Sequence, residues 1–290
     1  MAAVEPILRP GFRPRRRGRR GYVRLRAMPI GDRLALGALA LVTLLALLGP
    51  TLAPHDPLSA AGPANHPPSF TYPLGTDEVG RDMFSRVLTG LQSTWLAAFG
   101  VIAAGVLIGG GIGVIAGTLG GWADSVLMRV TDVFLALPPS ILAIAVVTAI
   151  GPSLFHTLLA VAIFWWPYYA RLVRAETRSL VVRPHMVAAR LSGAGWWRRL
   201  FRHLLPGTFP TVIVAASLDI SNLILLLAAL SFLGLGAQAP APELGSMTAA
   251  GLSSLLTSWW IPVMPALAIF VLSLVGNLSG DAIRDMVERG

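Results

Sequence analysis

Apolar stretches long enough to cross a bilayer dominate this chain, and little else in it leaves room for a different kind of fold. Leu34 to Leu52 carries no charged residue, and its length is close to the ~20 residues a hydrocarbon core demands of a helix. Similar stretches run from Leu96 to Leu119, Val130 to Ile150, Leu154 to Tyr169, Thr208 to Leu235 and Trp259 to Leu278. Hydrophobic residues make up 54% of the 290 and charged residues only 13%, against about 25% charged in a soluble domain. The expectation is an all-α, polytopic membrane protein with six transmembrane helices. No stretch is polar enough for a separate soluble domain.

Composition also excludes chemistry. There are no cysteines, so disulfides, thiolate metal sites and a cysteine nucleophile are ruled out. Every basic side chain is arginine and none is lysine. A phosphate-binding loop of the Walker type needs its lysine, so the chain is not itself an ATPase and no catalytic residue, cofactor or metal site is expected in it. The net charge of +9 raises the question of nucleic acid, but the arginines cluster beside apolar spans, where membrane topology explains them.

The arginines orient the spans. Arg174, Arg178, Arg183, Arg190, Arg198, Arg199 and Arg202 fall in one loop and its flank, while the loops after the third and fifth spans hold none. Cationic loops stay inside, so both termini are expected in the cytoplasm. The layout is then a basic, disordered N-terminus over 1–33 and a first span over 34–52. An external segment over 53–93 follows, then a core of five spans over 94–281 and a cytoplasmic tail over 282–290. The Arg-rich residues 1–27 read first as a topology signal, with anionic-lipid binding as the functional alternative. Asp132 has Arg129 or Arg171 as prospective partners.

Three local patterns carry functional information. The first is residues 183–206, RPHMVAARLSGAGWWRRLFRHLLP. A short helix with Ala188 and Ala189 is broken at Gly193-Ala194-Gly195. A second helix starts at Trp196, and Pro206 is expected to stop it. The second pattern is LGTDEVGRDMFSR, where Thr76 or Asp77 is placed to cap an amphipathic helix lying in the interface. Asp77 with Arg81, and Asp82 with Arg86, are spaced i,i+4 along it. The third is Asp219, about 18 Å into the fifth span at 1.5 Å per residue. A carboxylate there is costly in lipid and should face protein or water. Asn222 shares its face and Ser231 lies further along.

In order, LGTDEVGRD, DVFLALPPS, WWPYYARLVRAE, the 183–206 loop, LSFLGLGAQAPAPELGSM and NLSGDAIRD resemble the DppC/OppC-type permeases of peptide- and nickel-class ABC importers. Val187 stands where that family has a glutamate. The resemblance implies the type I importer permease fold and a heterodimer with a DppB/OppB-like permease in a bacterial plasma membrane. It further implies two ABC ATPase subunits of DppD/DppF type that bind the ATP, an extracytoplasmic substrate-binding protein, and peptide as substrate. It makes 183–206 the ATPase-coupling loop, with Val187, Ala188, Ala189, Gly193, Trp196, Leu200, His203 and Pro206 as its docking residues. Gly75, Thr76, Asp77, Gly80, Arg81, Asp82 and Arg86 become an external signature helix, and Asp219, Asn222 and Ser231 candidates for the translocation path.

Two other functions compete. A secondary transporter needs paired intramembrane ionisable groups on broken, repeated helices, whereas Asp132, Asp219 and Asp281 are scattered. A membrane-embedded enzyme needs a convergent site, yet His156 and His203 fall on opposite sides and no HExxH motif occurs.

Overall fold

The computed structural model describes residues 28–289; the basic segment 1–27, expected to be disordered, lies outside the described residues. The described chain is helical, with one isolated antiparallel bridge between Thr76 and Asp82. In order come α1 (Ile30–Leu52), α2 (Met83–Leu119), α3 (Gly121–Leu135), α4 (Pro139–Ile150) and α5 (Leu154–Val181). Then follow α6 (Pro184–Leu191), α7 (Trp196–Arg199), a π turn at Leu200–Leu204, α8 (Leu205–Phe232), α9 (Leu244–Ala250) and α10 (Trp260–Arg289).

Four helical stretches are long and apolar enough to cross a membrane: α1, α2, the run Trp196–Phe232 through α8, and α10. The expected third span is a broken one. Pro138 precedes α4, and α3 and α4 meet at 77°, because a proline and the restricted residue before it cannot continue the incoming helix. The expected fourth span lies within α5, whose length suffices but whose WWPYYAR portion lowers its apolarity. The packing explains part of the tolerance: α5 is flanked by α2, α3, α4 and α8, and the polar tips of Trp165 and Tyr169 meet protein.

The closest helix pair is α2 with α5. Gly105, Gly109, Gly113 and Gly117 recur every fourth residue and turn one glycine face to α5. A Cβ at Gly109 would stand 2.2 Å from the Trp166 carbonyl oxygen, and one at Gly113 would stand 2.6 Å from that of Ala170. Nothing larger than hydrogen fits between the backbones, and in a membrane, where the hydrophobic effect does not drive helices together, close packing is what holds them. Gly111, on the other side of α2, has nothing within 4 Å of a would-be Cβ.

The expected interfacial helix over the signature residues does not form. Gly75 (φ 75°) and Gly80 (φ 82°) are left-handed, a conformation helices exclude, and Thr76 to Asp82 fold into a tight turn instead. The amphipathic residues from Met83 onward are the first turns of α2 itself. At the loop end of the bundle, Arg174 and Arg178 both bind Asp124, the latter at 3.1 Å, tying α3 to α5. Asp132 pairs with Arg171, so of the two prospective partners the structure selects the one on α5.

The seam gives a direct test. Gly113→Val should lower stability by about 1–3 kcal/mol, the usual cost of overpacking, read as a fall in melting temperature in detergent. Gly111→Val, the same change on the open side of the same helix, should leave the melting temperature unchanged.

Candidate functional site

The loop over 183–206 is built as its glycines dictate. Helix α6 ends at Leu191, Gly193 takes φ 75°, a left-handed angle that a branched side chain adopts only under strain, and α7 begins at Trp196. Met186, Leu200 and Leu204 face inward and form a small core with Val114 of α2 and with Val173 and Leu180 of α5. That core bolts the loop to the seam.

What faces outward is Val187 (45% exposed), Ala188, half-buried Ala189 and Leu191 (83% exposed), while the exposed Arg190 borders the cavity beside Trp196 and Arg199. Leu200, expected as an outward apolar contact, is only 8% exposed and belongs to the core instead. The i,i+4 pair Val187 and Leu191 supplies the outward apolar surface, as does the stacked pair Trp197 and Phe201, whose rings lie 5.9 Å apart. Val187 was singled out in the sequence; Leu191, Trp197 and Phe201 were not, although the opposite phase of Met186 in α6 marks the first pair. Trp196 is partly open, and half-buried His203 sits 6.0 Å from the ring of His185.

Pro206 does not stop the helix. The π turn just before it shifts the hydrogen-bond register, with the Leu205 N–H donating to the Leu200 carbonyl. Pro206 then falls in the first turn of α8, where a missing N–H is harmless. Trp196 to Phe232 is therefore one 37-residue rod.

On the far side, the signature residues form a clasp. Thr76 is fully buried; its hydroxyl donates to the Pro63 carbonyl at 2.6 Å and accepts from the His66 N–H at 2.8 Å. The Asp77 carboxylate accepts from the Val79 and Arg81 N–H groups and from Arg81 Nε at 2.6 Å, and lies 3.7 Å from Arg86 Nε. Arg86 donates to the carbonyls of Pro57 and Pro240, and Trp260 Nε1 donates to the Thr76 carbonyl. The expected Asp82–Arg86 pair is not made. Asp82 caps α2, accepting from the Ser85 N–H at 3.1 Å and the Ser85 hydroxyl at 2.6 Å, a role that short acidic side chains fill at helix starts. A Cβ on Gly80 would stand 2.2 Å from the Gly62 carbonyl, and one on Gly75 2.7 Å from that of His66.

Asp219 lies in α8 at 9% exposure. One of its oxygens accepts from Trp165 Nε1 at 2.6 Å and from the Tyr169 hydroxyl at 3.0 Å, both on α5. Asn222 is exposed on the same helix. Ser231 is 2% exposed and packed against Gly236 and Gly245, so it lines no open surface, in contrast to the expectation. Trp165 and Tyr169 were missed as partners. Their signal was present: buried tryptophan and tyrosine carry a polar tip that requires an acceptor. No cluster of metal-ligating side chains occurs among the described residues.

Comparison with known proteins agrees with this geometry. In fold, the chain is similar to a chain from inward-facing structures of the MetNI methionine ABC transporter, with a TM-score of 0.55 over 71% of this chain and 97% of that one at 20% identity. That likeness gives the class of fold, one found in an ABC transporter. The chain belongs to the family described as binding-protein-dependent transport system inner membrane component, whose pattern matches residues 109–290. It is 42% identical to a probable D,D-dipeptide transport system permease protein, DdpC, of Escherichia coli K12, over 95% of this chain and 94% of that protein. It is also 42% identical to a glutathione transport system permease protein, GsiD, of Pectobacterium atrosepticum, over 77% and 74%. Its identity to a di/tripeptide transport system permease protein, DppC, of Pseudomonas aeruginosa is 38%, over 88% and 87%. The chain is thus a multi-pass inner-membrane permease component of an ABC importer, not an enzyme. A component of this kind works with a second permease, an ATPase and a binding protein.

Two pairs of substitutions check the site. Gly193→Val forces a branched side chain into a left-handed turn, whereas asparagine tolerates that turn. Transport-coupled ATPase activity should fall in Gly193→Val and persist in Gly193→Asn, with equal membrane insertion of both. Asp77→Asn leaves buried Arg86 without its counter-charge and should cost about 3–5 kcal/mol, seen as a lower melting temperature; Arg81→Gln, at the more open end of the pair, should cost less.

Proposed function

We propose that this chain is the DppC/OppC-like half of a peptide importer in a bacterial plasma membrane, paired with a DppB/OppB-like permease. The names of the three relatives share one chemistry, a short peptide, and this is what supports a peptide as the solute. Two ABC ATPases of DppD/DppF type bind and hydrolyse the ATP and press on the α6–α7 loop; the outward Val187, Ala188 and Leu191 beside the left-handed Gly193 turn carry this assignment. Both termini lie in the cytoplasm, as the arginine-rich flank of that loop supports. The external binding protein delivers substrate over the clasp at Gly75–Arg86.

Asp219 with Asn222 forms the polar point of the translocation path. The carboxylate is held by Trp165 and Tyr169 on one oxygen, and its charge attracts a peptide amino group without trapping it. Replacing the carboxylate by an amide keeps the shape and removes the charge. Asp219→Asn should slow uptake of dipeptides with a free amino terminus while sparing amino-blocked ones. Equal loss for both, together with poor assembly, would mark Asp219 as an internal strut between α5 and α8.

The decisive experiment is reconstitution of the chain in proteoliposomes, alone and with partner permease, ATPases and binding protein. Dipeptide uptake is expected only in the complete mixture with ATP. Uptake by the chain alone, driven by an ion gradient, would make it a secondary transporter and overturn the reading.

A further inference from the structure

Two cavities adjoin behind the α6–α7 loop and share Trp196 as a common wall. The smaller, about 220 Å³, is lined by Arg190 and Arg199 together with Thr118 and Leu119 at the end of α2. The larger, about 480 Å³, is an apolar trough between α2, α5 and α8, with Leu107, Gly110, Gly111 and Phe209 among its walls.

Their arrangement along the membrane normal is ordered. The cationic cavity sits at the loop end of α2, and the trough runs back along that helix toward mid-membrane. From Thr118 to Leu107 is about 16 Å at 1.5 Å per residue, close to half the ~30 Å hydrocarbon thickness, one leaflet deep.

The charges there lack counter-charges. Arg174, Arg178 and Arg183 on the flank of the loop are paired with acids, but Arg190, Arg198, Arg199 and Arg202 form no ion pair among the described residues. The Nε of Arg199 is sealed from solvent and has no hydrogen-bond partner, an arrangement that costs free energy unless an acceptor arrives. An acceptor that brings negative charge to this end and an alkyl chain to the other satisfies both cavities at once.

We propose that the two cavities form one site for a single anionic phospholipid of the leaflet on the loop side. Its phosphate is held by Arg190 and Arg199, and one acyl chain lies in the trough across Gly110 and Gly111. The lipid then sits directly behind the coupling loop, against the small core that fastens it. The absence of side chains at Gly110 and Gly111 is what keeps the trough open, since a Cβ at either meets nothing closer than 4.0 Å. The site is independent of which solute the importer carries.

The test uses the full chain in phosphatidylcholine vesicles doped with phosphatidylglycerol bearing a photoactivatable group at the end of one acyl chain. Labelled peptides are mapped by mass spectrometry. The probe should label α2 around Leu107 and α8 around Phe209, at least about tenfold above a matched phosphatidylcholine probe, as two cationic contacts imply. Arg190→Gln with Arg199→Gln should bring labelling down to the phosphatidylcholine level, and Arg190→Lys with Arg199→Lys should restore most of it. Gly111→Leu should abolish labelling in the trough with no fall in melting temperature. Equal labelling by both lipids, or undiminished labelling in the Arg→Gln variant, would reduce the site to ordinary lipid contact and overturn the proposal. So would displacement of the probe by free inorganic phosphate, or its replacement in the assembled importer by cross-links from Gly111→Cys to the partner permease.

Discussion

The glycine seam between α2 and α5 is the contact on which the remaining structure depends. Backbone meets backbone at Gly109 and Gly113, and this fixes the height and rotation of α5 in the bundle. From that one placement follow the binding of Asp124 by Arg174 and Arg178 and the presentation of Trp165 and Tyr169 to Asp219 on α8. The seating of Met186, Leu200 and Leu204 against Val173 and Leu180 follows as well. Lipid offers α2 and α5 no hydrophobic reward for meeting. The seam therefore relies on dispersion between close backbones, which a single methyl group would disrupt.

Apart from Asp219 within α8, charge gathers at the two ends of the bundle and is settled there locally. At the clasp, Asp77 answers Arg81 and Arg86, and backbone carbonyls take up the remaining guanidinium donors of Arg86. At the loop end, the arginines nearest the seam are paired, whereas those of the α6–α7 loop are not. The contrast has a functional sense: paired charges fix architecture, while unpaired ones remain available to an acidic or phosphate-bearing partner. Between the ends, the loop and Asp219 belong to a single helical rod interrupted by one π turn, an irregularity that often accompanies functional positions in helices. Loop and mid-membrane carboxylate are thereby parts of one mechanical element.

Some of this was plain in the residues before any coordinates. The spans and the helix–break–helix plan of 183–206 rest on local rules: apolar length, and glycine where a helix must end. The family resemblance was equally local, because it lies in short ordered motifs.

Other features depended on which backbone came near which, and periodicity is blind to that. Asp77, Arg81, Asp82 and Arg86 have helical spacing, yet Gly75 and Gly80 take left-handed angles because carbonyls of His66 and Gly62 crowd them, and the run becomes a turn. Pro206 looked like a stop until a π turn displaced the hydrogen-bond register before it. Leu200 and Ser231 looked available and are buried by neighbours distant in sequence. Asp219 was recognisable as a costly charge, but its donors lie about 50 residues away on another helix. The sequence by itself determined that this chain spans a membrane, since that follows from transfer free energies of contiguous segments. Only the tertiary structure decided which polar groups pair and which surfaces stay open, because those depend on contacts between segments that no local rule brings together.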